Sequence, residues 1–509
     1  MASGMKTLAK ETAIYGVSSI VPKLLSWFLG LFWAFALETR AEMGAITNFY
    51  AWIALLQVIL TYGMETGFFR FANKEDNPLR VYSTSLISVF TTTIIFLLIS
   101  FTFLTPISQA LSGFGMAIKP RYLIVIFLIL GIDVFAALPF AYLRYRQRPV
   151  KFAFIKILNV VLTITFNMFF FVVVPKLTKT NPELFGWYDI KNGVDYILYS
   201  NLMASASQFL FLSPELRIRY QFDKKLLRKL LRYSYPIMIL GIAGVLNQTM
   251  DKIIFPILYP DKSEALTQLG IYGQSFKIAV IMVMFTQAFR YAFEPFIFAK
   301  NRTAQGGDEL RSYADASKYF LILGFLIFLF TMGYIDIIKF LIPENYHEGL
   351  KVVPIVMLGE LFFGIYFNLS LWYKLTDKTK WGAYMSVMGF IITLIIQVAF
   401  IPTFSYMACA WAAFVANLVM MIVSYFLGQK HYPIDYELKK AAFFTVLALL
   451  LFGGLQISHT YLSNIALRLT INTLIIAIYT FVIIKKELPL RDLPVVGKFF
   501  QQSSKQTKI

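Results

Sequence analysis

The chain has 509 residues, of which 58% are hydrophobic and 15% are charged, and its mean hydropathy is +0.65. Soluble globular proteins have about 45 to 50% apolar and about 25% charged residues, so the composition excludes a soluble protein and indicates a polytopic membrane protein. Cys409 is the only cysteine and the three histidines are scattered, so we expect no disulfide bond, no metal and no other cofactor.

Runs of about 20 apolar residues predict transmembrane helices, because a helix of that length crosses the hydrocarbon layer of a bilayer. The first run has a charged beginning but no cleavage site, and we interpret it as a retained span rather than a signal peptide. The predicted fold class is therefore an all-α polytopic membrane protein with about 14 transmembrane helices. The predicted spans are 12–36, 44–70, 81–104, 121–143, 152–175, 193–213, 235–259, 267–298, 315–338, 350–373, 381–402, 405–428, 440–459 and 464–484.

The connections between these spans differ in charge. The segments that face inward when the N-terminus is inside carry about three times as many Lys and Arg residues as the outer loops. This asymmetry predicts that both termini are cytoplasmic. It also accounts for most of the net charge of +19, so we do not expect a nucleic-acid partner.

The longest inner connection, 214–234, contains the string FDKKLLRKLLRY, which starts at Phe222. Its leucines fall on one side of a helix and its basic residues on the other, a pattern typical of a helix lying on an anionic inner leaflet. A docking site for a partner protein is the alternative. The connection divides the chain into an N-terminal lobe (1–213), the amphipathic linker (214–234), a C-terminal lobe (235–428), two further helices (429–484) and a basic cytoplasmic tail (485–509).

The two lobes resemble each other as an internal repeat. Six spans separate equivalent positions, so the lobes run in the same direction and their axis lies along the membrane normal. The predicted architecture is two six-helix bundles with two extra C-terminal helices. Shifting the sequence by 225 to 229 positions superimposes Lys23 on Lys252, Gly44 on Gly270 and Asp133 on Glu360.

The stretch 266–300 is an apolar helix that carries the polar residues Lys277, Gln287, Arg290 and Glu294. An ionisable residue near the bilayer centre costs about 2.5 to 3.5 kcal/mol on insertion scales, so a retained one usually faces a bundle interior or a watery cavity. Lys277 and Lys23 of the first span both lie mid-span with no acidic neighbour. These two lysines are the best candidates for contacts with an anion, whereas Arg290 and Glu294 could instead form a local ion pair.

Polar residues within spans concentrate in the first two helices of each lobe. The second span carries Glu65 and Arg70, and the seventh carries Asn247, Asp251 and Lys252. Substrate sites of repeat-built carriers lie at the repeat interface, so we expect these helices to line a cavity. Asp251 and Lys252 are adjacent and point about 100° apart, so they need not neutralise each other. The structural alternative is that all acids and bases within the spans pair between helices.

Asp133 and Glu360 are mid-span carboxylates at equivalent repeat positions. They are the candidates for ion coupling, and hydrogen-bonded packing is the alternative. The chain contains no GxxxxGK[ST] loop, no GxSxG elbow and no HExxH pair. We therefore expect a protein that is not an enzyme.

Two strings, YGMETGFFRF from Tyr62 and AFRYAFEPFIF from Ala288, resemble those of Wzx-type oligosaccharide flippases. The arrangement of six, six and two spans is similar to that of polysaccharide transporters of the multidrug/oligosaccharidyl-lipid/polysaccharide superfamily, over nearly the whole chain. The resemblance implies a two-lobed bundle like that of the MATE transporters, located in the inner membrane of a bacterium.

The resemblance also implies that the protein moves an undecaprenyl-pyrophosphate-linked oligosaccharide, a repeat unit of O-antigen or another surface polysaccharide, from the inner to the outer leaflet by alternating access. The cations carried over from related flippases to contact the diphosphate are Lys23, Lys252, Lys277 and Arg290. The implied partners are the lipid-linked oligosaccharide, the bilayer, and a polysaccharide polymerase and glycosyltransferases. The alternatives are a MATE-like cation-coupled multidrug antiporter, a membrane-embedded sugar-transferring enzyme and a non-transporting scaffold.

Overall fold

The structure, a computed structural model, describes residues 20–113, 118–303, 308–376, 378 and 380–487. Side chains are described there except at 291, 292, 294–303, 308, 309 and 374. The regular elements of the described residues are all helical. The helices are α1 (Ile20–Ala36), α2 (Arg40–Thr61), α3 (Met64–Ala72), α4 (Pro78–Thr102), α5 (Leu104–Gly113), α6 (Pro120–Tyr145), α7 (Pro149–Met168), α8 (Val174–Thr180), α9 (Pro182–Phe185), α10 (Gly193–Leu212), α11 (Lys224–Leu258), α12 (Ala265–Thr303), α13 (Asp308–Gly333), α14 (Ile335–Ile338), α15 (Val353–Leu369), α16 (Leu371–Leu375), α17 (Lys380–Phe404), α18 (Tyr406–His431), α19 (Leu438–Tyr461) and α20 (Ile465–Lys486).

The predicted membrane architecture is confirmed. Within the described residues, 12 helical segments are long and apolar enough to cross a membrane. The shorter apolar helix α1 begins at the first described residue, and α10 has the length of a span. The buried polar residues Ser200, Ser205 and Gln208 lower the hydropathy of α10. Each predicted span therefore has a helical counterpart, although residues 12–19 of the first span lie outside the described residues, and the chain is an all-α polytopic membrane protein.

The second predicted span is broken rather than continuous. Tyr62 (φ 34°) and Gly63 (φ 70°) both adopt left-handed backbone conformations between α2 and α3. A Cβ atom added at Gly63 would lie 2.8 Å from the carbonyl oxygen of Ser234, so this position requires glycine for its space as well as its φ. The break separates α3 from α2, which the hydrophobic pattern alone could not indicate because apolar residues continue through both helices.

The predicted amphipathic linker is likewise not a separate helix. Its basic string forms the first turns of the 35-residue helix α11, which continues directly into the seventh span. Leu226 and Leu230 are buried, and this part of α11 packs against α3 and α4. These two leucines therefore contact protein rather than lipid. The sequence pattern could not distinguish the two, since a helix that packs on protein and a helix that lies on lipid both have an apolar face.

The chain divides into two compact units. The division falls within α12, α17 and α18, whereas the predicted lobe boundaries at 213 and 235 stay a prediction. Unit 1 comprises Met1–Lys277, Asn345–Gly349 and Ser386–Ala412, and unit 2 comprises Ile278–Glu344, Leu350–Met385 and Ala413–Ile509.

The core of unit 1 forms around α6, which packs against α2, α4, α7 and α10. Leu130, Val134 and Ala141 of α6 are fully buried. Near its last turns, Tyr142 stacks on Tyr82 of α4 with ring centroids 4.1 Å apart. Transmembrane helices associate by close packing and interhelical hydrogen bonds, because lipid tails are as apolar as the core side chains.

In unit 2, α13 packs against α15, α19 and α20. Near the start of α13, the amino group of Lys318 lies 3.0 Å from Asp315, 2.5 Å from Glu437 before α19 and 3.2 Å from Glu487 after α20. Beyond the end of α13, Asp336 pairs with Arg468 of α20 at 2.6 Å. The two clusters lie at opposite ends of α13, so α19 runs parallel to α13 and α20 runs antiparallel. This agrees with the predicted alternation of spans.

We expect Lys318→Ala to lower the midpoint of thermal unfolding in detergent. Lys318 is only 8% exposed, and its removal leaves three carboxylates near one another without their shared cation. Breaking a buried pair costs about 3 to 5 kcal/mol, and we expect at least about 1 kcal/mol because two of the carboxylates are partly exposed. Lys440→Ala is the matched control, since Lys440 contacts two of the same carboxylates but is largely exposed. If both substitutions lower the midpoint of thermal unfolding equally, the buried position of Lys318 is not what makes it important for stability.

The same cluster predicts a pH dependence. The pKa of Glu437 is held below its ordinary value, mainly because Lys318 donates a hydrogen bond to its carboxylate. A carboxyl group with a depressed folded pKa stabilises the fold above its unfolded pKa, about 4.3, and the contribution is lost as pH falls through the folded pKa. The midpoint difference between wild type and Lys318→Ala should therefore be constant near neutral pH and shrink below about pH 4. If the midpoint difference is unchanged at about pH 3, the interaction between Glu437 and Lys318 does not cause the stabilisation.

Candidate functional site

In unit 1, α2 crosses the first turns of α12 at close range. A Cβ atom added at Gly44 would overlap the carbonyl oxygen of Leu266, and one added at Gly270 would overlap that of Arg40. Backbone atoms thus contact each other directly, as small residues permit between transmembrane helices. Gly44 and Gly270 are equivalent positions of the predicted repeat, so two equivalent residues meet at this crossing.

The buried side-chain amides of Asn48 and Gln274 are related by the same repeat. The shift that superimposes Gly44 on Gly270 also superimposes Asn48 on Gln274. Asn48 donates from Nδ2 to the carbonyl oxygen of Lys252 on α11 at 2.7 Å, and Gln274 donates from Nε2 to that of Gly30 on α1 at 3.2 Å. Each amide therefore links the second helix of one repeat to the first helix of the other. Asn48 Oδ1 and Gln274 Oε1 are both buried without a hydrogen-bond partner.

Lys277 lies one turn beyond Gln274, at the contact between α12 and α1. Its ammonium group donates to the carbonyl oxygen of Gly30, and it lies 5.9 Å from the ring centroid of Trp33. In return, Trp27 Nε1 donates to the carbonyl oxygen of Lys277 at 2.8 Å. No carboxylate of the described residues lies within ion-pair distance of Lys277. Because an unpaired cation among helices is costly, Lys277 is the strongest candidate for binding an anion.

Asp251 and Lys252 form an ion pair, contrary to the expectation that these neighbours point apart. Lys252 Nζ reaches back to Asp251 Oδ2 at 2.8 Å, because the long lysine side chain spans the angle between adjacent positions. Tyr272 also donates to Asp251 Oδ2, at 2.7 Å, and Lys252 Nζ lies 4.4 Å from the ring centroid of Phe276. Lys252 is therefore neutralised locally and is a weaker anion ligand than Lys277.

Other predicted residues of unit 1 lie away from this crossing. Glu65 on α3 pairs with Arg144 at the end of α6, and Arg70 lies 4.2 Å from the ring centroid of Tyr233 on α11. Asn247 donates to the carbonyl oxygen of Ser386 at 2.9 Å, which attaches α11 to α17. All three contacts join helices, but only Glu65 and Arg144 form the kind of ion pair that the structural alternative describes.

Asp133 on α6 lies in a separate polar group. Ser205 on α10 and Lys156 on α7 lie close to its carboxylate. Lys156 Nζ also lies 4.0 Å from the ring centroid of Phe140, so its charge is directed inward and does not snorkel to the surface. Asp133 is thus held among three helices, in an environment compatible with packing and with ion coupling.

The remaining predicted residues include one in unit 1 and four in unit 2. Lys23 is exposed in the first described turn of α1. In unit 2, the guanidinium of Arg290 lies 3.7 Å from the ring centroid of Phe367, and Gln287 and Glu360 are half-buried on α12 and α15. Glu294 belongs to α12, but its side chain lies outside the described residues, so the proposed pair with Arg290 stays a prediction.

Sequence reasoning missed Gln274, Tyr272 and the two tryptophans of α1. The repeat shift could have identified Gln274 from Asn48. Nothing in the sequence indicates that Trp27, Trp33 or Tyr272 contacts a lysine or its ion pair, because that depends on which helices are neighbours. Within the described residues, no group of His, Cys, Asp and Glu has an arrangement that could hold a metal ion.

No protein-family model matches the chain, and no curated protein sequence matches it. Solved structures do match. The lipid II flippase MurJ, in an inward closed conformation, has a TM-score of 0.67 and 14% identity, over 93% of this chain and 99% of that one.

An inward-facing multidrug resistance MATE family transporter of the MOP superfamily has a TM-score of 0.64 and 13% identity, over 82% of this chain and 97% of that one. A MATE structure in the straight conformation has a TM-score of 0.52 and 14% identity, over 84% and 95%. Identities this low establish the fold alone. The chain has the fold of the MurJ and MATE transporters, as the sequence predicted.

Proposed function

We propose that the protein is a flippase that moves an undecaprenyl-pyrophosphate-linked oligosaccharide from the inner to the outer leaflet of a bacterial inner membrane. The repeat unit of O-antigen or of another surface polysaccharide is the substrate class. Both termini are cytoplasmic in this proposal, and transport proceeds by alternating access. The polymerase and glycosyltransferases of polysaccharide synthesis are the expected functional partners.

One observation carries the proposal: Lys277 places a cation at the contact of two helices within the bundle, and none of the carboxylates that the structure describes lies within ion-pair distance of it. A lipid diphosphate is the kind of ligand that such a cation favours, because charge-assisted hydrogen bonds to phosphate offset the cost of desolvating both charges. The fold adds support, since it is shared with a flippase whose substrate is lipid II. In this proposal, sugar hydroxyls occupy the cavity that the sequence predicts, while the lipid chain stays in the bilayer.

A multidrug antiporter is the second candidate, supported by the likeness to MATE transporters and by Asp133. Its carboxylate lies close to Ser205 and Lys156, so uptake of a proton or cation there would change the charge balance of this polar group, which three helices share. A drug antiporter would depend on Asp133 and tolerate loss of Lys277. The flippase should show the opposite order of sensitivity, or depend on both if Asp133 couples the ion gradient.

The test is a strain that lacks this protein, complemented with defined variants. We expect surface polysaccharide to be lost and the lipid-linked intermediate to accumulate on the inner leaflet, with both effects reversed by the wild-type chain. Normal display without trapped intermediate, once redundant transporters are removed, would contradict the flippase proposal. Drug resistance that is lost in the Asp133→Asn variant but retained in the Lys277→Met variant would favour the antiporter instead.

A further inference from the structure

We propose that unit 1 binds an anionic glycerophospholipid of the inner leaflet, with one acyl chain in an apolar groove and the phosphate on the basic first turns of α11. We call this groove the α4–α11 groove. It has a volume of about 510 Å³ and is lined by Tyr62, Ile87, Ser88, Thr91, Thr92, Phe222, Leu227 and Leu231. The proposal uses the predicted orientation of the membrane and is independent of the transported substrate.

The α4–α11 groove is apolar even though hydroxyl groups line it. Tyr62 and Ser88 hydrogen-bond each other through their hydroxyls at 2.7 Å. The Thr92 hydroxyl donates to carbonyl oxygens of its own helix, at 3.1 and 3.0 Å. Because these groups are already satisfied, the groove presents mainly methyl, methylene and ring surface. Such a surface favours a hydrocarbon chain over a polar ligand.

A second, basic pocket adjoins this groove. Its volume is about 550 Å³, and Phe222 lines both cavities. The carboxylate of Asp223, the acid in the basic pocket, accepts hydrogen bonds from the backbone N–H groups of Lys225 and Leu226 and lies 3.5 Å from Arg80. The described residues provide no ion-pair partner for the ammonium groups of Lys224 and Lys225. Besides Phe222 and Asp223, the basic pocket is lined by Arg80, Gln221, Lys224 and Lys225.

The register of α11 presents cations and groove leucines side by side. Lys224, Leu227, Arg228 and Leu231 follow the spacing i, i+3, i+4 and i+7 and so form one stripe. Leu226 and Leu230 belong to a different face, which is buried against α3 and α4. The stripe is therefore free to contact a ligand that is apolar at one end and anionic at the other.

A glycerophospholipid matches this arrangement better than a glycan carrier. Its second acyl chain would remain in the bilayer beside α4, where Phe90, Ile94 and Ile95 are exposed next to Thr91. Lys224 and Lys225 are exposed at the surface and suit a small phosphate headgroup close to the leaflet. The groove and the basic pocket contain no buried, unpaired amide or carboxylate that would orient a sugar.

The test measures lipid binding to the purified full-length protein in detergent. Native mass spectrometry and the thermal midpoint are followed during titration with phosphatidylglycerol, phosphatidylcholine or undecaprenyl diphosphate. We expect phosphatidylglycerol to bind at least tenfold more tightly than phosphatidylcholine. The triple change Lys224→Gln, Lys225→Gln and Arg228→Gln should remove that preference. Thr91→Trp, which fills the groove, should weaken the binding of phosphatidylglycerol at least tenfold.

The matched control is Arg217→Gln with Arg219→Gln, which removes exposed cations from the same connection but none that lines either cavity. It should bind phosphatidylglycerol like the wild type. Equal binding of phosphatidylcholine, or an equal loss in the control, would overturn the proposal by reducing it to nonspecific contact or net charge. Displacement of phosphatidylglycerol by an equal concentration of undecaprenyl diphosphate would assign the groove to the transported lipid instead. None of these results bears on surface polysaccharide display, so failure here is distinguishable from failure of the flippase proposal.

Discussion

Replacing Lys277 by methionine should reduce surface polysaccharide display at least tenfold while the protein still reaches the membrane. A charge-assisted hydrogen bond is worth about 1.5 to 3 kcal/mol, and about 1.4 kcal/mol corresponds to a factor of ten. The measurement is polysaccharide display in the complemented strain, together with the amount of lipid-linked intermediate on each leaflet. The Lys179→Met variant is the control, since Lys179 is an exposed lysine of α8.

Thermal stability separates a binding role of Lys277 from a structural one. Methionine is close in shape to lysine and removes a cation that pairs with no carboxylate among the described side chains, so the folded state should be unchanged or more stable. Gly30→Ala offers an independent variant, because its new Cβ would lie 2.7 Å from Lys277 Nζ and displace the ammonium group from the carbonyl oxygen that it contacts. Normal transport by both variants would show that Lys277 does not bind the substrate.

A methyl group at the helix crossing should have the largest effect on stability. In Gly44→Ala and Gly270→Ala, the added Cβ meets backbone atoms of the facing helix, which cannot rotate away as a side chain can. Overpacking of a core costs about 1 to 3 kcal/mol, and we expect each variant to reach the upper end of that range. The readouts are the thermal midpoint in detergent and the level of transport.

Two other helical glycines provide the control for this crossing. A Cβ atom added at Gly244 on α11 or Gly453 on α19 meets nothing within 4 Å, so Gly244→Ala and Gly453→Ala should be neutral. The double variant at Gly44 and Gly270 should be less destabilised than the sum of the two single variants, because the first methyl group already separates the helices. If Gly270→Ala behaves like Gly244→Ala, the close crossing is absent from the folded protein.

The lysines show what local sequence could and could not predict at the site. Lys277 stood out because an isolated cation in a long apolar run is costly wherever the helix packs. Lys252 stood out for the same reason, yet it is neutralised by Asp251. Whether these two neighbouring side chains pair or point apart depends on their contacts with Tyr272 and Phe276 of another helix. Sequence spacing therefore identified the charged positions but not their relative value as anion ligands.

The sequence by itself determined the helices and their alternation, because crossing a bilayer requires about 20 apolar residues whatever the rest of the chain does. It also indicated a repeat that relates Gly44 to Gly270, and the same shift relates Asn48 to Gln274. Only the tertiary structure decided that Gly44 and Gly270 meet, that α11 continues through the predicted linker, and that the second span breaks at Tyr62 and Gly63. Each of those features depends on contact with a helix distant in sequence, and hydropathy and periodicity report only what lies along one helix.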